Sequence, residues 1–321
     1  MQYENPPSLL TMLKCAGRFF TTMTQIPFNK SYSHPKELVS LLRARGLIIA
    51  DDAKALHYLT HIGYYRLSAY MYPFLEIPKE QHHFKKGITF DRVMRLYRFD
   101  RKLRLLVFNE IEKIEVAIRS AVVNIGSEMT GNPFWMTDVS NFIDKGRHVR
   151  TISLIDNELR HSTEDFITHF KETYCDPFPP AWILAEVLPF GVITNIYSNI
   201  KDKKIKKRIS QSFGLQIKPF ESWLSIIVGQ RNSCGHHARI WNKKYSNKVM
   251  LPEKITAPWI LLPTDTQKEY FTICILKYFL NTISPGNDLY DKLCKLLSQY
   301  PEIDTSAMGF PQGWENEPLW R

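Results

Sequence analysis

Apolar residues along most of this 321-residue chain recur at helical spacing, three or four apart, rather than in alternation. Pro35 to Arg45 places Leu38, Leu41 and Leu42 on one face, with Gly46 suited to cap the end. A second helix is predicted from Asp51 to Leu59, acidic in its first turn. An aromatic-rich stretch follows and is interrupted at Pro73. The longest predicted helix starts after Thr89-Phe90-Asp91 and runs to about Gly126. Val93, Leu96, Leu103, Val107, Ile111, Ile114 and Ile118 form its apolar stripe. Its other face carries Arg92, Arg95, Arg98, Arg101, Arg104, Lys113 and Arg119. Further helices are predicted from Val149 to Tyr174, from Trp182 to Ile200, and from Pro219 through Trp223, Leu224, Ile227 and Val228. Cys175 to Pro180 breaks the first two of these. Pro252 to Pro263 reads as a connector before two closing helices, Lys268 to Ile283 and Asn287 to Tyr300. The tail after Pro301 has no period. With no repeat and no helix–strand alternation, the pattern predicts an all-α protein.

Composition narrows the function classes. Forty-two Lys+Arg against 32 Asp+Glu give a net charge of +10, which favours an anionic partner such as nucleic acid or a membrane surface. The longest uncharged apolar stretch, Val187 to Ile200, is too short to span a bilayer. The first residues, MQYENPPSLL, lack the basic and apolar blocks of a secretory signal. Five scattered cysteines without a CxxC pair suggest neither a disulfide framework nor a zinc knot. A cytoplasmic protein with no membrane partner is expected. Glycine is scarce, which weakens any glycine-rich nucleotide-binding reading.

Residues 230–242, QRNSCGHHARIWN, gather two arginines, two adjacent histidines, a cysteine and two asparagines. Four readings compete. Metal binding through Cys234, His236 and His237 is disfavoured, because adjacent helical side chains point about 100° apart. A Cys234–His236 nucleophile places the two groups unusually close in sequence. The third reading is RNA cleavage. An arginine fork neutralises the scissile phosphate, a histidine moves protons near neutral pH, and the RNA supplies its own 2′-OH as nucleophile. That chemistry needs no metal or cofactor. The fourth is a helix end whose polar residues satisfy one another. Spacing alone does not decide, since seventeen arginines and ten histidines give one or two such Arg–His spacings by chance.

The extended string is more specific. RNSCGHHARIWN resembles the R-N-x-C-[AG]-H-H-x-R-x-W-N block of the Abi_2 (AbiD/AbiF-like) abortive-infection family of bacteria, in the HEPN superfamily. Other stretches are similar to the family in the same order: LLRARGL at Leu41 to Leu47, IGYYRLSAY at Ile62 to Tyr70, and YRFDRKLRL at Tyr97 to Leu105. IEKIEVAIR at Ile111 to Arg119 and Pro180-Ala181-Trp182 with Glu186 and Phe190-Gly191 complete the series. The resemblance implies a HEPN-type helical bundle over residues 90–250, an N-terminal helical region over 1–89 and a C-terminal helical extension over 251–321. It implies a metal-independent endoribonuclease acting as an antiphage or toxin effector, with Arg231 and His236 as the catalytic pair and Asn232 as the motif's polar second position. His237 is the rival base, and Arg239, Glu115 and Glu186 are candidate supporting groups. Where some HEPN proteins carry a modifiable tyrosine, this chain has Ala238.

The basic run Lys203, Lys204, Lys206, Lys207 and Arg208 is a candidate RNA-backbone patch, and Tyr65 with Arg66 a candidate base-stacking block. The expected partners are RNA as substrate, an RNA or protein antitoxin, and a second copy of the chain, with Trp241 a natural interface anchor. Two other functions stay open: a non-catalytic RNA-binding scaffold, and a DNA-binding regulator.

Overall fold

The computed structural model describes residues 31–246, 249–255 and 257–321, together with Pro27. The N-terminal stretch read for a signal, and Cys15, lie outside these residues. The described residues form an all-α protein of twelve α-helices, with short 3₁₀ turns and three isolated β-bridges but no strand.

Helices α1 (Pro35–Ala44), α2 (Asp52–His61) and α3 (Tyr64–Met71) form an N-terminal cap. His34 and Glu37 close a capping box at the start of α1. The carboxylate of Asp51 accepts the backbone N–H of Lys54 at the start of α2. The central element is α4 (Phe90–Thr130), 41 residues and about 60 Å long. All seven apolar residues of its predicted stripe are buried. The helix does not stop at Gly126. A Cβ there would lie 2.3 Å from the Trp135 ring, so the glycine serves side-chain packing, and the true terminator is Gly131 at φ +62°.

Two predicted helices are each divided. Val149 to Tyr174 is α5 (Lys145–His161) and α6 (Asp165–Thr173), separated where Ser162 turns extended. Trp182 to Ile200 is α7 (Ala181–Val187) and α8 (Phe190–Asn199). Pro189 accounts for that break, since it cannot donate to the helix and drives the preceding residue extended. Then come α9 (Lys203–Gln211) and α10 (Ile217–Gly235), with Pro219 buried in the first turn.

α11 (Glu269–Ile283) packs along both α4 and α10, and every residue from Glu269 to Leu280 is buried, as befits a helix inside a core. α12 (Leu289–Ser298) lies against α4, where Lys292 reaches the buried Glu110 at 3.1 Å. The tail without sequence period folds back as 3₁₀ turns. Trp320 donates its indole N–H to Tyr270 on α11 at 3.2 Å.

The polar face of α4 is not uniformly solvated. Arg104 is buried against Asp100, Arg95 pairs with Glu302 of the tail, and Arg98 donates to the Tyr58 hydroxyl at 2.9 Å.

Candidate functional site

α10 delivers the motif. Trp223, Leu224 and Ile227 bury one side of it, and Arg231 emerges on its last turn. The helix ends in a Schellman closure. His237 N–H donates to Cys234 O at 3.0 Å and Ala238 N–H to Ser233 O at 2.8 Å. His236 is the capping residue (φ −86°, ψ 9°) and is exposed. His237, at φ +56°, occupies the left-handed position that usually falls to glycine. The closure ends the helix, and His237 is exposed like His236.

Beyond the turn the motif is scaffolding. Arg239 donates to the carbonyl of Ala69 on α3 at 2.8 Å, and Arg66 donates to the carbonyl of His237 at 2.6 Å. Arg104 reaches the carbonyl of Ala238 at 3.3 Å. Asp100, fully buried on α4, accepts the backbone N–H of Ile240 at 3.1 Å and of Trp241 at 2.6 Å. Its second oxygen accepts from Tyr70 at 2.6 Å and from Arg104. Trp241 is only 5% exposed and packs in its own core, so it is not the interface anchor expected of it. Asn242 accepts from Lys268 at 3.2 Å.

Before the turn the motif faces outward. Arg231 keeps 40% of its side chain exposed and lies 6.0 Å from the Phe108 ring of α4. Its Nε is 3.8 Å from Glu115, which also holds Arg119 at 2.9 Å; Arg119 in turn donates to the carbonyl of Leu188 at 3.1 Å. Two guanidinium groups thus flank one carboxylate and leave a positive excess. Neither Nε–H, of Arg119 or of Arg231, has a hydrogen-bond partner within the fold. Asn232 is exposed beside them. Of the supporting carboxylates, Glu115 joins the cluster, whereas Glu186 lies exposed on α7.

Cys234 is buried, and that burial pushes its thiol up to about 12, so it is held as an unreactive thiol rather than a thiolate nucleophile. Among the described residues no three His, Cys, Asp or Glu side chains are grouped so as to hold a metal ion. Behind the motif, Gln230 donates to Glu269 of α11 at 2.7 Å, and the Tyr245 hydroxyl donates to the other carboxylate oxygen. Complete burial pushes the Glu269 carboxyl up to about 8.

The basic run divides on α9. Lys203, Lys204 and Lys207 are exposed. Lys206 is buried, donating to Ser198 O at 3.0 Å and pairing with Glu221. Arg208 grips Glu128 with two bonds of 2.9 and 2.8 Å. Tyr65 is 91% exposed on α3.

Sequence reasoning gave no role to Asp100, Arg104 or Glu269. Asp100 and Arg104 carry one local signal, their i, i+4 spacing within YRFDRKLRL. Glu269 carries none, since its partners Gln230 and Tyr245 are remote in sequence.

Among the described residues no helix is long and apolar enough to cross a membrane. Comparisons with curated proteins and with solved structures found no match. The profile described as "Abi-like protein" matches residues 57–242, from within α2 to the last residue of the motif, more than half of the chain, and the chain belongs to that family.

Proposed function

We propose that this protein is a cytoplasmic endoribonuclease that acts as an abortive-infection effector, cleaving RNA through the substrate's own 2′-OH. Membership of the Abi-like family points to abortive infection; the ribonuclease chemistry is our reading of the site. The observation that carries it is the pairing on one helix end of Arg231, half-open with an unpartnered Nε–H, and His236, exposed at the cap.

In this mechanism Arg231 binds the scissile phosphate through its fork, with Arg119 adding charge behind it. Glu115 positions both guanidinium groups. His236 takes the 2′-OH proton as the 2′ oxygen attacks phosphorus, and a second imidazole protonates the departing 5′ oxygen. A homodimer supplies that second group by bringing two His236 to one phosphate. Exposed apolar residues on α4, Leu105, Phe108 and Val116, support such pairing, since Phe108 lies 6.0 Å from Arg231. No metal is required for these steps. The net charge of +10 suits an RNA antitoxin as the restraint on the free enzyme.

The test is purified protein with end-labelled RNA, with and without EDTA, beside Arg231→Ala and His236→Ala. Cleavage that survives EDTA, leaves a 2′,3′-cyclic phosphate and a 5′-OH, and vanishes in both variants is expected. Cleavage of plain DNA, or a strict Mg²⁺ requirement, overturns the proposal.

A further inference from the structure

The N-terminal cap contains an open groove of about 950 Å³ that lies outside the motif. Leu38, Leu42 and Met71 are among the buried residues that line it. Its rim is tyrosine: Tyr32, Tyr64, Tyr65 and Tyr72 all line it, together with Arg45 and His82. Among the described residues no carboxylate does. Two of the rings stand almost wholly in water, Tyr32 at 84% and Tyr65 at 91% exposure. A cluster of exposed aromatic rings around one concavity forgoes burial that a stable fold would otherwise use, which marks a binding surface.

The rings are partly held in place. Arg45 donates to the Tyr64 hydroxyl at 2.9 Å. The ammonium of Lys79 sits 4.0 Å over the Tyr72 ring and adds positive charge to that wall.

Helix α3 is the partition between this groove and the motif. Tyr64, Tyr65 and Ser68 line the groove. From the same helix, Arg66 donates to the carbonyl of His237, and the carbonyl of Ala69 accepts from Arg239. A ligand in the groove therefore lies against a helix bolted to the turn that presents His236.

We propose that the groove seats a single strand of RNA, its bases stacked on the tyrosine rings and its phosphates met by Arg45, Lys79 and His82, and so guides the strand toward Arg231. The identity of the ligand rests on the ribonuclease reading above. The site itself follows from chemistry: π faces accept any unpaired base, Arg45 is the charged side chain among the described lining residues, and Lys79 lies beside it over Tyr72. Duplex RNA is a poor fit, since its bases are already stacked and face inward.

The test uses the full chain carrying Arg231→Ala, so that RNA persists, and a fluorescently labelled twelve-nucleotide single-stranded RNA followed by anisotropy. Adding Tyr65→Ala or Tyr72→Ala should weaken binding by about tenfold each, the effect of losing one stacked base. Tyr65→Phe, which keeps the ring, should stay within about twofold of its parent. Binding of a duplex of the same sequence should not respond to these changes. Tyr65 is exposed, so circular dichroism should match the parent. If Tyr65→Ala binds the single strand as tightly as the parent, or Tyr65→Phe loses as much as Tyr65→Ala, the groove is not an RNA seat. The two readings fail separately. Tyrosine-dependent binding by a wild-type chain that cuts no RNA removes the ribonuclease and keeps the groove. Cleavage with tyrosine-independent binding does the reverse.

Discussion

Asp100 and Trp241, 141 residues apart in sequence, are joined by a hydrogen bond of 2.6 Å from the tryptophan's backbone N–H to the aspartate carboxylate. The same carboxylate accepts from Ile240, Tyr70 and Arg104, so one buried group ties α3, α4 and the segment beyond the motif together. Removing it as Asp100→Ala strands a buried guanidinium and two backbone N–H groups. Breaking a buried pair on one side costs about 3–5 kcal/mol. Urea denaturation should show a loss of that order for Asp100→Ala, and Tyr70→Phe should lose about 1 kcal/mol. Equal stability of Asp100→Ala and wild type would mean the clamp does not hold the motif.

His237 offers a sharper distinction between the two motif histidines. Its left-handed φ of +56° is a strained choice for any residue but glycine, and asparagine tolerates it next best. His237→Gly should therefore keep the helix closure, hold or slightly raise the melting temperature, and retain most RNA cleavage. His236→Ala should keep the fold and lose cleavage. The reverse pattern of activities would move the proton-transfer role one residue along. His237→Ala is the weaker control, because alanine retains the backbone strain.

How much of this was legible beforehand depended on whether a residue's partner was local. The apolar stripe of α4 repeats every three or four residues, and all seven positions proved buried. The motif showed its residue types but not its division of labour. Arg231 and Arg239 look alike in sequence, yet Arg239 is spent on a carbonyl 170 residues away and Arg231 is left open. Arg104 fell with the other bases opposite the apolar stripe, because helical periodicity reports position on a face, not what covers that face. Lys206 was hidden in the same way: within a run of bases, its burial against Ser198 and Glu221 sets it apart. Gly126 looked like a stop because the ring of Trp135 that needs the space follows the helix rather than belonging to it.

Glu269 makes stability depend on pH. Its carboxyl is pushed from an ordinary value of 4.5 to about 8 by complete burial. Between those values the unfolded chain has released a proton that the folded chain still holds. Stability therefore falls as pH rises through this window, and the loss is complete above about pH 8. Glu269→Gln is neutral at every pH, and its amide can donate to Gln230 Oε1, which has no donor in the fold. The urea midpoint of wild type should fall more between pH 6 and pH 9 than that of Glu269→Gln, with the variant the more stable at pH 9. Parallel pH profiles would show that the buried carboxyl does not titrate in this range.

Cleavage needs one group to take a proton and another to give one, and in our reading His236 is the one proton-handling histidine that each chain contributes. Trp241 cannot anchor a partner, since it is buried in its own core. The exposed apolar residues of α4 can. Val116 is 55% exposed and Leu105 57%, with Phe108 between them under Arg231. Val116 lies one residue from Glu115 but on the exposed side of the helix, so changing it leaves the carboxylate cluster in place. Val116→Arg puts a long charged side chain in place of an exposed apolar one in both chains of a two-fold dimer. In light scattering, wild type should run near twice 37.6 kDa and Val116→Arg near 37.6 kDa, with RNA cleavage falling at least about tenfold alongside dimerisation. Mixing wild type with an excess of inactive Arg231→Ala should then distinguish shared from separate sites, because a shared site loses activity when either chain is defective. A chain that stays monomeric at working concentration and cleaves at full rate would show that a second proton-handling group lies within one protomer.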